Sequence, residues 1–353
     1  MGYYEKLLMI EKIKEVMQDE KSCVLFDAKI DYMITRDSDQ FYEISDVSGK
    51  EWHCKELDAI LETVDINGII IFGCGHDGIR TKKIMENCNY FPRFFCDSND
   101  TKIGTVVDGL EVIDIDKLVR EYRDYLIVLG SAKYAGEMYE ILKAKKFPIE
   151  HILYPRYELL FAQCGNQYFD VFHPQEKEVF IDGGGYDGNT IIDFIAWTEG
   201  KFNKIYSFEP TAEMSQFIRK KMKEEQLLNV VVHESALWSK REDLCFLENG
   251  AGSRVEKSGA LTIKGVSLDN IIKNEKVTFI KMDVEGSELA ALKGAKNTII
   301  KYHPKLAICI YHKPEDILEI PAYILELVPE YKFYIRHYTS CMWETVLYAE
   351  VPE

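Results

Sequence analysis

Apolar positions along the chain follow two spacings in turn, and their order predicts two successive α/β units behind a helical leader. In residues 3–18, Leu7, Met9, Ile10, Ile13, Val16 and Met17 recur at helical intervals. Residues 27–32 read as a second helical stretch and 46–50 as a turn. Gly68-Ile69-Ile70-Ile71-Phe72-Gly73 is a short apolar run ending on glycine, and a helical pattern follows over 79–88. Strands at 91–96, 126–130 and 151–154 then alternate with helical segments at 118–122 and 134–145. Strands and helices of these lengths in alternation specify a parallel sheet with crossover helices.

Pro155 and the polar stretch 163–175 mark a boundary, after which a second alternation begins. Strands are expected at 179–182, 204–208, 230–234, 278–283 and 306–311, with helices at 190–197, 212–224, 268–274 and 287–302. Two alternating runs, 331–338 and 343–350, are joined by a short turn and predict an antiparallel hairpin. Residues 245–264, with Gly250, Gly252 and Gly259, read as a β-rich insertion over one end of the sheet. The expected domains are a helical leader (1–65), a smaller Rossmann-like α/β domain (66–160) and a second α/β domain (165–353). The leader is expected to pack against the next domain or a dimer partner, which leaves the oligomeric state open with a homodimer as one candidate.

Composition narrows the function more than the fold. The 353 residues suffice for two domains, each with its own core. A formal charge of -16 argues against nucleic acid, because phosphate-backbone binding needs clustered Lys and Arg. Arg219-Lys220-Lys221 is read as a solvated helix face. The nine cysteines form no CxxC pair, so reduced, packed thiols are expected rather than zinc or disulfides. The N-terminus lacks a signal-peptide pattern, and no apolar run approaches the ~20 residues of a membrane span. A cytoplasmic protein without a membrane span is the expectation.

Two glycine-rich loops carry candidate chemistry. Gly73-Cys74-Gly75-His76-Asp77-Gly78 fits GxGxxG at a strand-to-helix junction, and Asp97 ends the next strand where a dinucleotide fold places its ribose carboxylate. The same turn also serves to pack a helix closely on a strand, so Gly73, Gly75, Gly78 and Asp97 are candidates for an accessory nucleotide site only. The second loop, Asp182-Gly183-Gly184-Gly185-Tyr186-Asp187-Gly188, places a carboxylate ahead of the first glycine. A pyrophosphate would meet an anion there, whereas S-adenosylmethionine carries an ammonium and a cationic sulfonium. Gly183, Gly185, Tyr186 and Gly188 are therefore assigned to that cofactor. Glu209 ends the next strand, placed to accept hydrogen bonds from both ribose hydroxyls, and Pro210 stops the strand. Ser235 and Ala236, past the third strand, lie where adenine is expected. The fourth strand ends in Lys281-Met282-Asp283-Val284-Glu285-Gly286-Ser287-Glu288 at the expected topological switch point. Asp283 and Glu285 are read as site residues, Ser287 as a helix cap and Glu288 as a complement to the helix dipole.

These residues resemble the FkbM family of methyltransferases over about 165–350. The specific stretches are Val179-Phe180-Ile181-Asp182-Gly183-Gly184-Gly185-Tyr186-Asp187-Gly188, Phe208-Glu209-Pro210 and 280–288 running into Leu292-Lys293-Gly294-Ala295. The chain departs from the pattern at 184–187, where many members have a small residue and then Asn after the first glycine. The resemblance implies a class I methyltransferase sheet of seven strands with an antiparallel last strand. It also implies O-methylation, commonly of a sugar or natural-product hydroxyl. Residues 66–155 resemble small Rossmann-like domains attached to sugar-modifying enzymes, through 73–78 and Leu126-Ile127-Val128-Leu129-Gly130-Ser131.

The expected activity is S-adenosylmethionine-dependent O-methylation of a sugar, glycan or small natural product. Methyl transfer needs in-line alignment and a base for the hydroxyl proton. His312, in Tyr311-His312-Lys313-Pro314 at a strand end, is the first candidate base, with Asp283 or Glu285 as alternatives. His337 and Tyr338 are candidate pocket residues. Asp283, Glu285 and His312 are hard-ligand types, but no HxxE or DxD spacing supports a metal, and none is expected. The rivals are a non-catalytic nucleotide or sugar-nucleotide binder and an NAD-dependent dehydrogenase; Asp182 opposes both.

Overall fold

The computed structural model describes residues 3–37, 55–131, 133–153, 165–247, 253–256, 261–339 and 342–352. The chain divides into two compact units, a larger one of residues 1–45, 166–337 and 342–353, and a smaller one of 46–165 and 338–341. The leader forms α1 (Tyr3–Glu15) and α2 (Glu20–Thr35).

The smaller unit contains α3 (Lys55–Thr63), β1 (Ile69–Phe72), α4 (His76–Asn87), β2 (Phe94–Cys96), β3 (Val106–Val107), β4 (Leu110–Ile113), α5 (Ile115–Glu121), β5 (Leu126–Leu129), α6 (Ala135–Ala144) and β6 (Ile152–Leu153). Its six-stranded sheet runs β3-β4-β2-β1-β5-β6, parallel except for the β3–β4 pair. Strands β1 and β5 are buried at every position, as expected for strands covered on both faces. Ile69 and Ile71 join one apolar cluster, Ile70 and Phe72 the other.

The larger unit continues with β7 (Glu178–Gly183), α7 (Asn189–Trp197), β8 (Phe202–Phe208), α8 (Ala212–Glu224), β9 (Val230–His233), β10 (Ala236–Leu237), β11 (Glu242–Leu247), β12 (Arg254–Val255) and β13 (Leu261–Val266). It ends with α9 (Leu268–Ile271), β14 (Phe279–Met282), α10 (Glu288–Gly294), α11 (Lys296–Tyr302), β15 (Lys305–Cys309), α12 (Asp316–Leu327), β16 (Lys332–His337) and β17 (Thr345–Glu350). The main sheet is seven-stranded in the order β16-β17-β15-β14-β7-β8-β9. Only β17 runs antiparallel to its neighbours, as the hairpin pattern predicts. The order reverses between β7 and β14, so the crevice outside their carboxyl ends is a topological switch point. The insertion is β-rich as expected, a small sheet of order β10-β13-β11-β12.

Several expectations need correction. The leader does not pack as a separate element beside the next domain: Ile13, Leu25, Phe26 and Ile30 enter the core of the larger unit. Its α1–α2 turn also covers β16, an edge strand whose backbone needs partners. Gln18 N donates to Phe333 O at 3.0 Å, Phe333 N to Val16 O at 3.0 Å and Ile335 N to Ser22 Oγ at 2.9 Å. The polar stretch 163–175 is not simply a boundary, because Tyr168, Phe169 and Phe172 are buried. Phe169 packs 5.5 Å from Trp197 and Phe172 5.4 Å from Tyr348, ring centroid to centroid. The helix expected over 287–302 breaks at Ala295, where the backbone of Gly294 passes so close to Trp238 that a Cβ would lie 1.9 Å from the Trp238 carbonyl oxygen. Helix α12 was not foreseen. Its buried face, Ile317, Ile320, Pro321, Ile324 and Leu325, has helical spacing, but Pro321 inside it disguises the pattern. The turn expected at 46–50 and the glycines Gly250, Gly252 and Gly259 lie outside the described residues. Among the described residues no helix is long and apolar enough to cross a membrane.

Candidate active site

The carboxyl ends of β7, β8, β14 and β15 open onto a cavity of about 510 Å³ in the larger unit. Its lining includes Gly184, Tyr186, Glu209, Ala236, Asp283, Glu285, Tyr311 and Glu344, with Arg254 from the small sheet at its rim.

The loop after β7 reaches the cavity because of its glycines. Gly184 has φ +82°, and a Cβ there would lie 1.9 Å from the Asp283 carbonyl oxygen. A Cβ at Gly185 would lie 2.2 Å from Ser207 Oγ. Gly184 N and Gly185 N both donate to Phe208 O, which folds the loop back over β8. Gly188, at φ +73°, starts α7.

Asp182 does not face the cavity as the sequence suggests. Its side chain is 0% exposed and pairs with Lys281 Nζ at 3.1 Å, directly opposite in the β7–β14 ladder. Ser207 Oγ, opposite in the β7–β8 ladder, donates to its other oxygen at 3.0 Å. Lys281 Nζ also donates to Gly183 O and Gly184 O at 3.2 and 2.8 Å. Burial opposes the lysine's charge, but Asp182 and Asp283 outweigh it and hold its pKa above the usual value. The carboxylate therefore shapes the loop from behind, through Lys281 and Ser207.

Glu209 does line the cavity. Its Oε2 accepts from Tyr186 N at 3.1 Å and its Oε1 from Thr211 N and Oγ1 at 2.9 and 2.7 Å. Burial raises its pKa. The remaining lone pairs leave room for further donors from the cavity. Ala236 also faces the cavity, whereas Ser235 turns to a neighbouring one lined by Arg241, Lys264 and Lys273.

The cavity also carries the acidic side chains Asp283, Glu285 and Glu344. Asp283 accepts from Tyr168 Oη at 2.8 Å and from Tyr311 Oη at 3.2 Å. Burial pushes its pKa up, but Lys281, His312 and these two hydroxyls bring it below the ordinary carboxylate value. His312 is surrounded by carboxylates: Nδ1 lies 3.0 Å from Glu288 Oε1, and Nε2 lies 3.3 Å from Glu285 Oε2 and 3.5 Å from Asp283 Oδ1. Burial alone would lower its pKa, yet the surrounding carboxylates push it up to about 11. An imidazole protonated at neutral pH has no lone pair to take a proton, so the structure removes His312 as the acceptor's base. Ser287 makes no side-chain cap, and Glu288 is fully buried, accepting instead from Val284 N at 2.9 Å and Gly286 N at 3.3 Å.

Sequence reasoning missed Tyr168, Tyr311 and Glu344. Tyr168 was hidden in the supposed boundary, though the aromatic density of Tyr168-Phe169-Asp170-Val171-Phe172 was a usable signal. Glu344 sits at the start of β17 with no motif around it, and the antiparallel return of that strand brings it to the site. Tyr311 Oη lies 3.3 Å from Glu344 Oε1. Burial and the charge of Asp283 push the Glu344 carboxyl up to about 7. His337, by contrast, is buried and contacts Thr345 Oγ1 at 2.9 Å; it does not line the cavity.

In the smaller unit, the geometry gives the other glycine loop a packing role. A Cβ at Gly78 would lie 1.9 Å from Gly73 O, and Gly73 has φ +103°. Asp97 turns back on the loop, accepting from Cys74 N at 3.1 Å and Asn99 N at 2.9 Å. A Cβ at Gly75 would meet nothing within 4 Å.

A seven-stranded sheet in this order, with one antiparallel strand and a glycine loop at the switch point, is the class I methyltransferase fold. Residues 182–334 match the family model described as the Methyltransferase FkbM domain. No curated protein matches the chain. Among solved structures, a methyltransferase FkbM from Methylobacillus flagellatus KT is 19% identical, covering 94% of this chain and 99% of its own, with a TM-score of 0.49. An rRNA methylase from Streptococcus thermophilus is 13% identical over 51% of this chain and 89% of its own, with a TM-score of 0.35. A SAM-dependent methyltransferase from Aquifex aeolicus is 19% identical over 50% of this chain and 85% of its own, with a TM-score of 0.31.

Proposed function

We propose that the larger unit is an O-methyltransferase acting on a hydroxyl of a sugar, glycan or small natural product. The observation that carries this reading is a single cavity lined by Gly184, Tyr186 and Glu209 together with Asp283, Tyr311 and Glu344. Glu209 and the glycine loop suit the ribose and amino-acid parts of S-adenosylmethionine, and the acidic side chains suit its positive sulfonium. When bound, the cofactor supplies an electrophilic methyl group that an aligned hydroxyl oxygen takes, releasing S-adenosylhomocysteine.

The chain's own residues orient the acceptor and accept its proton. Asp283 and the Tyr311 oxygen, whose proton Asp283 already takes, offer acceptors to neighbouring hydroxyls. Glu344 is the proposed base: buried, on the cavity wall and titrating near the working pH, where general bases are most effective. The net charge of -16 disfavours a nucleic-acid acceptor.

Calorimetry separates this reading from its rivals. The chain should bind S-adenosylmethionine saturably and NAD not at all, and Glu209→Ala should weaken the former at least about tenfold, the scale of a lost charged hydrogen bond. NAD binding without S-adenosylmethionine binding would favour a dehydrogenase or a nucleotide sensor.

A further inference from the structure

We infer that Asp283, Glu285 and His312 hold a divalent cation in the methyl-transfer cavity, the ion displacing the imidazolium proton from Nε2 of His312 to solvent, with an acceptor hydroxyl as a further ligand. The inference rests on the proposed function only for the identity of that last ligand. One donor atom from each of the three residues lies within 4.8 Å of the others. Nε2 of His312 lies 3.3 Å from the Glu285 oxygen and 3.5 Å from the Asp283 oxygen. Donors about 2.1 Å from a shared ion, at angles between octahedral and tetrahedral, stand about 3.0–3.4 Å apart. Charge-assisted N–H···O contacts are shorter, about 2.7–2.9 Å.

The histidine gives a second, independent sign. Its side chain is only 9% exposed, and its Nε2, aimed between the two carboxylates, is buried without an aligned hydrogen bond. On the far side of the ring, Nδ1 lies 3.0 Å from Oε1 of the fully buried Glu288, close but likewise without an aligned hydrogen bond. A carboxylate behind a histidine that presents its other nitrogen is the usual support of a metal-bound imidazole. Asp283 is likewise held from behind, by Tyr168 and Tyr311. The Glu288 carboxylate is held by the Val284 and Gly286 amides, so the supporting group is itself fixed.

Two carboxylates and one imidazole suit Mn²⁺, Fe²⁺ or Zn²⁺ better than Mg²⁺, which prefers oxygen throughout. Asp283 and Glu285 line the cavity, so the ion's open positions face the acceptor. There an ion lowers the pKa of a bound hydroxyl and fixes its direction of attack. Two adjacent hydroxyls can chelate it, which narrows the acceptor to a vicinal diol.

The test is titration of the full-length chain with Mn²⁺, followed by electron paramagnetic resonance. The wild type should bind one Mn²⁺, and Glu285→Gln, a partly exposed position, should weaken it at least tenfold. Glu288→Gln should weaken it about ten- to a hundredfold, as loss of a supporting carboxylate does. S-adenosylmethionine binding, measured by calorimetry in chelator, should persist in the wild type and both variants. An unperturbed Mn²⁺ spectrum with the wild type, or equal Mn²⁺ affinity in the wild type and Glu285→Gln, overturns the inference. Loss of S-adenosylmethionine binding with Mn²⁺ binding retained would overturn the methyl-transfer reading and leave the ion site standing.

Discussion

Lys281→Met should lower the stability of the larger unit by about 3–5 kcal/mol, the usual cost of leaving one buried charge without its partner. At about 2–4 °C per kcal/mol for a unit of this size, the melting temperature should fall by roughly 10 °C. The effect is large because the side chains of Lys281 and Asp182 are 3% and 0% exposed, so water cannot take over either charge. The same ammonium also holds the carbonyls of Gly183 and Gly184, so its loss should loosen the cofactor loop as well. Removing both charges, in Asp182→Asn with Lys281→Met, should recover much of the loss, since Ser207 Oγ can still donate to the Asn oxygen. Thermal melts of the four proteins form a double-mutant cycle. Strictly additive losses would mean that the pair contributes nothing as a pair.

Glu344→Gln should reduce kcat by about 10²–10³, within the range that a positioned general base contributes. Affinity for S-adenosylmethionine should be unchanged, because Glu344 is assigned to the acceptor's proton and Glu209 to the cofactor. The amide keeps the shape of the carboxylate and its contact with the Tyr311 hydroxyl, so a fall in kcat at constant KM would report the lost proton acceptor. Turnover equal to that of the wild type would move that role to another group. His312 is not the obvious replacement, because the carboxylates around it hold its ring protonated.

What the sequence made legible follows its local periodicities. Strands such as Leu126–Leu129 and helices such as Ala212–Glu224 were visible because their patterns are contained within the element itself. The Asp182 loop and Glu209 were visible because glycine and strand-end chemistry sit in short, fixed spacings. The partners of those residues were not. Lys281 meets Asp182 only through ladder register, and Glu344 arrives only through the antiparallel return of β17. His312 looked like a base because its unperturbed pKa suits one. Its three carboxylate neighbours, on a loop and helix far away in sequence, reverse that conclusion. Asp283 and Glu285 were read as site residues from their place at a strand end, but their approach to His312 depends on the β14–β15 pairing.

The leader's place along β16 has a consequence for biosynthesis. Residues 16–22 leave the ribosome more than three hundred residues ahead of their backbone partners at Phe333 and Ile335. The smaller unit, drawn almost wholly from the uninterrupted segment 46–165, is complete long before that. Vectorial synthesis should therefore produce the units in inverted order, with the inner segment closing first while the leader waits unpaired. Nascent chains stalled before residue 330 should show the inner segment resisting protease and the leader cut. A leader already protected at that length would mean that it finds a different, temporary partner.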